Sequence, residues 1–583
     1  MSEETQPKLP SQHEIEKEIS KFLASRYGDR VKIIGLQAQT ETAGIAGAER
    51  KQPPPADFSF DIKPQELADY LDEYVIRQDE AKAILATKIC THFNRVRHGI
   101  EHPEAARRTE GRIKNNVLLI GPTGVGKTYL IKLIARRLGV PFIKGDATKF
   151  SETGYVGGDV EDLVRDLARE ADNDLERAQY GIIYIDEIDK IASAPNRIGA
   201  DVSRTGVQRA LLKPMEETEV DLRVPHDPIS QIEAIEHYRA TGKRQRQVLN
   251  TRNILFIMSG AFNSLADIVK QRVQRQSMGF ESEVATKRES SRFLKDVKAE
   301  DLIQFGFESE FIGRLPVLAC LEELSRDDLY LILLNANNAV VVGKKLDFRS
   351  YAIHIQFEEE ALREIARLAF LEGTGARGLV SVMERTLLPF EKHLPSTDIR
   401  FLVVTPAMVR DPRRELARLL EQTSPQDYFQ ERFQQLNQLE RERLAAAILR
   451  GKGDYLRNHE LIPTRTRLEM MAGQCQEEIM ETGDVCDLFI ELIHHVHGCE
   501  KEMSAKCGLG VTFSEEAIDR LLDLKPRRPE TINQVCKKLT AIFEYGLELL
   551  EHKKGVDHVV IPAKGVDEPE EYINNLVKES FRL

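Results

Sequence analysis

A glycine-rich loop between two patterned segments constrains this chain more than any other feature. Its residues are Gly121, Pro122, Thr123, Gly124, Val125, Gly126, Lys127 and Thr128, which match the pattern G-x-x-x-x-G-K-[ST]. An apolar run precedes the loop and a helical spacing of apolar residues follows it, so we expect strand, loop and helix in that order. Glycines allow backbone N–H groups to converge on phosphates, where a side chain would collide. The loop therefore predicts a phosphate-binding site rather than a chance glycine-rich turn.

The two polar residues at the end of this loop have expected roles at the phosphates. Lys127 would reach the β- and γ-phosphates of a nucleotide, and the hydroxyl of Thr128 would bind Mg²⁺. The helix that starts there adds the positive end of its dipole to the same site. The predicted cofactors are thus a nucleoside triphosphate and Mg²⁺.

A second apolar run, IIYIDE at residues 182–187, ends in two carboxylates. Asp186 would hold Mg²⁺ through water, and Glu187 would polarise the attacking water. The alternative is a strand that merely ends in solvated acidic residues. The phosphate-binding loop upstream favours the catalytic interpretation.

Strand-like apolar runs alternate with helical patterns around these motifs, which predicts an α/β domain with a parallel sheet flanked by helices. The expected divisions of the chain are an N-terminal helical unit with a Pro-rich linker (1–56), the α/β domain (57–325), a mainly helical segment with a closing strand (326–415), a charged helical segment (416–505) and a degenerate repeat (506–583).

The repeat rests on an alignment of residues 357–407 with residues 513–563 at a constant offset of 156, without a gap. Ten of the 51 aligned positions are identical, and they cluster at the two ends. Phe357 aligns with Phe513, for example, and Val403 with Val559. We interpret this as a duplication, with two convergent helical hairpins as the alternative.

Composition narrows the class of protein further. A chain of 583 residues, 41% of them hydrophobic, is longer than a chain that folds around one hydrophobic core, so several folded units are expected. A net charge of -12 disfavours a protein that coats nucleic acid. No apolar run is long enough for a transmembrane helix, and the N-terminus does not resemble a secretion signal. Seven cysteines without a C-x-x-C pair suit a reducing compartment, so we expect a cytoplasmic protein without membrane contact.

Longer strings make the chain resemble the AAA+ protein-unfolding ATPases of the ClpX and HslU type. They lie between residues 72 and 379 and include DEYVIRQDEAK, GYVGGDVEDLVRDL, YIDEIDKI, EFIGRLPVLA and GTGARGL. The resemblance implies an AAA+ α/β domain, a helical lid, and ATP with Mg²⁺ bound between them. It also implies a homohexameric ring that acts on protein substrates. No cluster of cysteines precedes Cys90, so we expect this chain to lack the N-terminal zinc-binding module of ClpX and to carry an additional C-terminal extension.

The resemblance also implies roles for residues outside the two nucleotide motifs. Val75 and Ile76 match the pair that packs on adenine, although Arg77 stands where the family has glycine. Arg314 matches the arginine finger, which would stabilise charge on a neighbour's γ-phosphate. Arg377 matches the lid arginine that senses the γ-phosphate. Its counterpart in the repeat alignment is an asparagine, at position 533, so the second copy could not serve this role.

Two further strings resemble family elements that contact proteins. Tyr155 and Val156, flanked by glycines, match the loop that grips polypeptide in the central pore, where a mobile aromatic can insert between substrate side chains. Met278, Gly279 and Phe280 lie where ClpX carries the loop that docks onto the ClpP peptidase. The alternative for this second string is an ordinary buried turn.

Together these features predict an ATPase that unfolds or remodels proteins, with Lys127, Glu187, Arg314 and Arg377 as its catalytic residues. A ClpP-like peptidase is the expected partner. The alternatives are an ATPase that remodels nucleic acid and an inactive nucleotide-binding scaffold. The aromatic loop and the acidic net charge favour protein over nucleic acid, and the intact set of site residues argues against a scaffold.

Overall fold

The computed structural model describes residues 60–102, 114–150, 158–193, 202–222, 247–276, 293–337, 339–421, 425–551 and 558–582. The predicted N-terminal unit at residues 1–56 lies outside the described residues. So do Tyr155 and Val156 of the predicted pore loop, and Met278, Gly279 and Phe280 of the predicted docking loop.

A five-stranded parallel sheet forms the centre of the α/β region, residues 60–322. Its strands and those of a small hairpin are β1 (Val117–Ile120), β2 (Phe142–Asp146), β3 (Ile182–Asp186), β4 (Glu219–Asp221), β5 (Val248–Asn250), β6 (Leu255–Gly260) and β7 (Val317–Cys320). The sheet has the order β2-β3-β6-β1-β7, while β4 and β5 pair antiparallel apart from it. This arrangement confirms the predicted fold class.

The helices of this region alternate with its strands. They are α1 (Pro64–Tyr74), α2 (Asp79–Glu101), α3 (Lys127–Leu138), α4 (Val160–Glu170), α5 (Leu175–Ala178), α6 (Val202–Met215), α7 (Leu265–Gln276), α8 (Ala299–Phe305) and α9 (Ser309–Gly313), with short 3₁₀ helices at Ala147–Lys149, Ile188–Ile191 and Leu294–Asp296.

Successive residues of the central strands enter two different hydrophobic cores. Val117 and Leu119 of β1 belong to one core, whereas Leu118 and Ile120 belong to the other. Side chains alternate across a strand, so the two cores lie on opposite faces of the sheet. Burial on both faces explains why these strands are continuous apolar runs in the sequence.

The first helical region, residues 326–421, continues the core on one face of the sheet. It contains α10 (Arg326–Leu334), α11 (Ala339–Arg349), β8 (His354–Phe357), α12 (Glu359–Glu372), α13 (Ala376–His393), β9 (Phe401–Val404), α14 (Pro406–Arg410) and α15 (Pro412–Glu421), with a 3₁₀ turn at Leu394–Ser396.

The second helical region, residues 425–582, builds a core of its own. It contains α16 (Pro425–Asn458), α17 (Arg465–Glu478), α18 (Thr482–Cys507), β10 (Gly510–Phe513), α19 (Glu515–Leu522), α20 (Pro529–Glu551), β11 (His558–Ile561), α21 (Ala563–Asp567) and α22 (Pro569–Arg582).

The two helical regions contain the same element order around a pair of parallel strands. Strand β8 pairs with β9 in the first region, and β10 pairs with β11 in the second, each pair enclosing two helices. Strands β8 and β10 keep the offset of 156 residues, but Val403 and Val560 occupy equivalent positions in β9 and β11, 157 apart. The gapless alignment was therefore wrong by one residue at its second end. The second copy has an additional residue between its strands, where α20 is longer than α13.

None of the helices in the described part of the chain combines the length and apolar character needed to cross a membrane.

Candidate nucleotide-binding site

The sheet order brings the two nucleotide motifs together at the carboxyl ends of neighbouring strands. The glycine-rich loop follows β1, Asp186 ends β3, and Ser259 lies in β6, the strand between them. Parallel strands end at the same edge, so loops distant in sequence meet there. The predicted phosphate-binding and metal-binding residues thus share one site.

Lys127 begins α3 and points back toward the loop. Its Nζ donates to the carbonyl oxygens of Gly121 at 2.6 Å and Pro122 at 2.8 Å. Burial lowers the pKa of Lys127 to about 8, although Asp186 and Asp189 oppose this shift. An ammonium held in partly buried surroundings favours an additional anion, as the predicted role at the phosphates requires.

Asp186 is the centre of a hydrogen-bonded network. It accepts from the hydroxyl of Thr128 at 3.3 Å, from Ser259 Oγ at 2.7 Å and from the amide of Glu187 at 3.0 Å. The hydroxyl of Tyr184 lies 3.0 Å from Thr128 Oγ1 and 2.6 Å from Ser259 Oγ, and connects the two. Thr128 and Asp186 supply the hard oxygen ligands that Mg²⁺ takes, so the residues fit this metal.

Neither Tyr184 nor Lys144 is among the site residues that the sequence predicts. Lys144 of β2 places its Nζ 2.8 Å from Asp186 Oδ2. Burial by itself would raise the pKa of Asp186, but hydrogen bonds from Lys144 and Ser259 hold it below its usual value. The register of the two strands would have revealed this contact, because it pairs Lys144 with Tyr184, two residues before Asp186.

Glu187 is exposed at the end of β3, in an unusual backbone conformation. Its φ is +57°, in the left-handed region that residues other than glycine seldom adopt. Strain of this kind costs of order 1–3 kcal/mol and concentrates at functional sites. The conformation leaves the carboxylate of Glu187 accessible beside the Asp186 network, as the predicted role toward water requires.

A turn of the first helical region, residues 373–377, closes on the glycine-rich loop. The amide of Ala376 donates to the carbonyl of Gly124 at 2.8 Å. Gly124 has a φ of +80°, and a Cβ there would lie 2.0 Å from the carbonyl oxygen of Thr374. Arg377 is exposed in this turn, and its positive charge contributes to the lowered pKa of Lys127. The site is therefore built from two regions.

Val75 and Ile76 follow α1 directly, the first of them buried. The sequence left the effect of Arg77 open. Its guanidinium lies 2.6 Å from Glu322 and 2.8 Å from Asp328, so it links α1 to the start of the first helical region. Arg77 adopts a left-handed φ of +62° to make this turn.

Arg314 stands apart from the other predicted residues. It precedes β7, and its carbonyl accepts a hydrogen bond from the side chain of Asn116, just before β1. These positions lie at the amino ends of the two parallel strands, whereas the glycine-rich loop follows the carboxyl end of β1. Arg314 pairs with Glu216 at 2.6 Å. The structure does not bring it to the nucleotide site of its own chain.

Comparisons with known proteins agree with this geometry. A model of the AAA domain (Cdc48 subfamily) matches residues 112–318. Proteins from Borrelia duttonii (strain Ly) and Borrelia recurrentis (strain A1), each called ATP-dependent Clp protease ATP-binding subunit ClpX, are 39% identical to this chain over 350 residues. The alignments cover 59% of this chain and 77% of each relative. The chain therefore belongs to the ClpX family of AAA+ ATPases.

Proposed function

We propose that this protein is an ATP-dependent unfoldase whose subunits form a homohexameric ring and pull polypeptide through a central pore. The observation that carries the proposal is the contact between the glycine-rich loop and the turn at residues 373–377. A nucleotide held there touches both the α/β region and the first helical region, so its hydrolysis can change their relative position. The relatives' names, which describe an ATP-binding subunit of a protease, support an action on proteins.

Within one subunit, the predicted site residues have different roles in binding and hydrolysing ATP. Lys127 and the loop amides hold the phosphates, while Thr128 and Asp186 hold Mg²⁺. Glu187 polarises the attacking water, and Val75 with Ile76 packs on the base. Arg377 reports the γ-phosphate to the first helical region, which acts as the lid.

Arg314 acts on the nucleotide of a neighbouring subunit in this proposal. Its position at the opposite end of the sheet from its own glycine-rich loop supports a role in trans. A guanidinium supplied across an interface stabilises charge in the transition state and makes hydrolysis depend on assembly.

We also propose that two loops contact other proteins. Tyr155 and Val156 would grip the polypeptide, and Met278, Gly279 and Phe280 would dock onto a ClpP-like peptidase in the cytoplasm. Both assignments rest on the sequence resemblance.

The test compares the unaltered chain with Glu187→Gln, by mass photometry with and without ATP and by an assay of phosphate release. We expect ATP-dependent hexamers from both proteins, and phosphate release only from the unaltered chain, because a neutral amide does not activate water. A folded fluorescent protein with an unstructured tail should lose its fluorescence in an ATP-dependent reaction that Tyr155→Ala abolishes. A ClpP-type ring should be captured by the hexamer, and Phe280→Ala should release it.

Other outcomes separate the alternatives. ATP binding without phosphate release from the unaltered chain would indicate an inactive scaffold. Phosphate release stimulated by nucleic acid and not by unfolded polypeptide would indicate a nucleic-acid remodeller. A hexamer that unfolds the reporter but ignores the peptidase ring would be a free-standing remodeller.

A further inference from the structure

Helix α16 connects the hydrophobic cores of the two helical regions. Phe429, near its start, belongs to the core shared with the first helical region, whereas Leu444, Ile448 and Leu456 belong to the separate core of the second. A helix of 34 residues is about 50 Å long and continues without a break from one core into the other. Its two ends are therefore held in a fixed relation.

Polar contacts tie α16 and α18 to the first helical region, and in α18 the amide of Thr482 donates to Asn337 Oδ1 at 3.2 Å. Glu440 lies 2.5 Å from Lys345 Nζ and accepts a hydrogen bond from Gln356 at 2.6 Å. Arg443 pairs with Glu359 at 2.8 Å, in the first turn of α12. Helix α12 leads directly into the turn that touches the glycine-rich loop.

The same two helices also contact the α/β region. Lys452 of α16 pairs with Glu73 of α1 at 3.0 Å, and both side chains are largely buried. Glu481, the residue before α18, accepts from Arg136 of α3 at 3.0 Å and from the hydroxyl of Tyr74 at 3.3 Å. Asp484 lies 3.6 Å from Arg136 and strengthens this anchor.

These anchors lie on the elements that flank the nucleotide site. Helix α1 ends one residue before Val75, and α3 begins at Lys127 of the glycine-rich loop. The second helical region thus holds the carboxyl-terminal ends of two α/β helices, α1 and α3, and the first turn of α12. It spans the joint at which the α/β region meets the turn at residues 373–377.

We propose that residues 425–507 act as a brace that sets the angle between the α/β region and the first helical region before nucleotide binds, and hydrolysis then moves the two regions away from this angle. This inference rests on the proposed function, since the angle matters only if nucleotide binds between the two regions. The braced angle keeps the turn on the glycine-rich loop and preforms the site. Loss of the brace lowers the fraction of molecules competent to bind, and the apparent affinity for ATP falls by the same factor.

The test reverses the charges of one anchor in the full chain carrying Glu187→Gln, which binds ATP without hydrolysing it. Isothermal titration with ATP and Mg²⁺ should show affinity about tenfold weaker for Arg136→Glu and for Glu481→Arg, as expected when nine molecules in ten lose the braced angle. The double variant should recover most of the affinity, because the pair is restored with its charges exchanged.

The control is an exposed ion pair outside the brace, Arg520 with Asp567 at 3.1 Å. Arg520→Glu changes the same net charge and should leave the affinity unchanged. Because a reversed charge can disturb folding, Glu481→Gln is measured as well, and it should weaken affinity less than Glu481→Arg.

Hydrogen exchange at the amide of Ala376 gives a readout that does not depend on ATP. Its exchange should accelerate in Arg136→Glu and Glu481→Arg and return to normal in the double variant. Equal exchange and equal affinity in the unaltered and single-variant chains would overturn the brace, as would single-variant effects that the double variant does not reverse. Failure of the unaltered chain to bind ATP would instead count against the proposed function, and the exchange rates would still decide the brace.

Discussion

The two helical regions share an element order but differ in what their interhelical turns touch. In the first region, the turn at residues 373–377 is glycine-rich, approaches the glycine-rich loop within hydrogen-bonding distance and carries an exposed arginine. In the second region, the equivalent turn at residues 523–528 contacts other residues of the same region. Arg527 is buried there and donates to Gln474 of α17 at 2.8 Å.

This difference indicates that the residues of the turn, and not the topology, determine whether a helical region of this kind can contribute to a nucleotide site. Glycines let the backbone of the first turn come close to another backbone. In the second turn the buried Arg527 donates to the carbonyl of Leu522 at 3.2 Å and to the side-chain amide oxygen of Gln474 at 2.8 Å. We infer that the second copy is structural, and the following predictions test the comparison.

The largest effect should follow the loss of a buried arginine in the second region. Arg467 is 1% exposed and donates to Glu515 and Asp519, each at 2.6 Å. Arg467→Ala removes a large, fully buried side chain together with its hydrogen bonds, and we expect a loss of about 3–5 kcal/mol in the free energy of local unfolding. Hydrogen exchange of α17 and α19 measures this loss.

The counterpart of Glu515 in the first region supplies the control. Glu359 also begins a helix and also pairs with an arginine of the second region, Arg443, but Arg443 is 56% exposed. Arg443→Ala should cost only about 0–1 kcal/mol, because exposed pairs contribute little. Similar losses for Arg443→Ala and Arg467→Ala would contradict the expected contrast.

The second prediction concerns catalysis rather than stability. Arg377→Ala should lower the rate of ATP hydrolysis about 10²–10³-fold, since it removes a positive charge from the γ-phosphate. Asn533→Ala, at the aligned position of the second copy, should leave the rate unchanged. Phosphate release from the full chain measures both. A comparable loss in Asn533→Ala would mean that the second copy also takes part in turnover.

The sequence predicted the sheet and the glycine-rich loop well because both follow from local patterns. Continuous apolar runs indicate strands buried on two faces, and the loop motif requires its flanking strand and helix. The pairing of Asp186 with Thr128 then follows from the rule that parallel strands end at one edge.

Other features depend on contacts between distant segments and left no local signal. Lys144 in its strand is indistinguishable from a solvated lysine until β2 is placed beside β3. The brace joins Glu481 to Arg136 across 345 positions. The matches of Val403 and Val404 with Val559 and Val560 concealed the one-residue shift, because neighbouring valines mask a change of register.

The third prediction separates backbone strain from contact between regions. Gly124 and Gly126 both have positive φ, of +80° and +98°, but only a Cβ at Gly124 would meet another residue. Either substitution by alanine should cost about 1–2 kcal/mol in backbone strain. Only Gly124→Ala should also push the turn away, so the amide of Ala376 should exchange faster in that variant, measured without nucleotide. Equal acceleration in Gly126→Ala would show that strain alone opens the turn.

The smallest effect concerns the protonation of Lys127. Burial lowers its pKa from the ordinary 10.5 to about 8, so at pH 9 most molecules without nucleotide carry a neutral amine. Phosphate charge favours the ammonium form, so ATP binding at pH 9 should take up close to one proton. Affinity should therefore fall as the pH rises above 8, by at most about tenfold per pH unit. At pH 6.5 the lysine is already charged, and no uptake by this group is expected.

Isothermal titration in two buffers of different protonation enthalpy measures the uptake. Lys127→Arg, which stays charged throughout, should show none of this uptake at pH 9, and the absence of buffer dependence in the unaltered chain would contradict the prediction.

The same measurement compares the two helical regions, because the charge of Arg377 contributes to lowering the pKa of Lys127. Arg377→Ala should move the onset of proton uptake to higher pH, whereas Asn533→Ala should not. The number of protons taken up on ATP binding therefore shows which of the two helical regions influences the pKa of Lys127 in the glycine-rich loop.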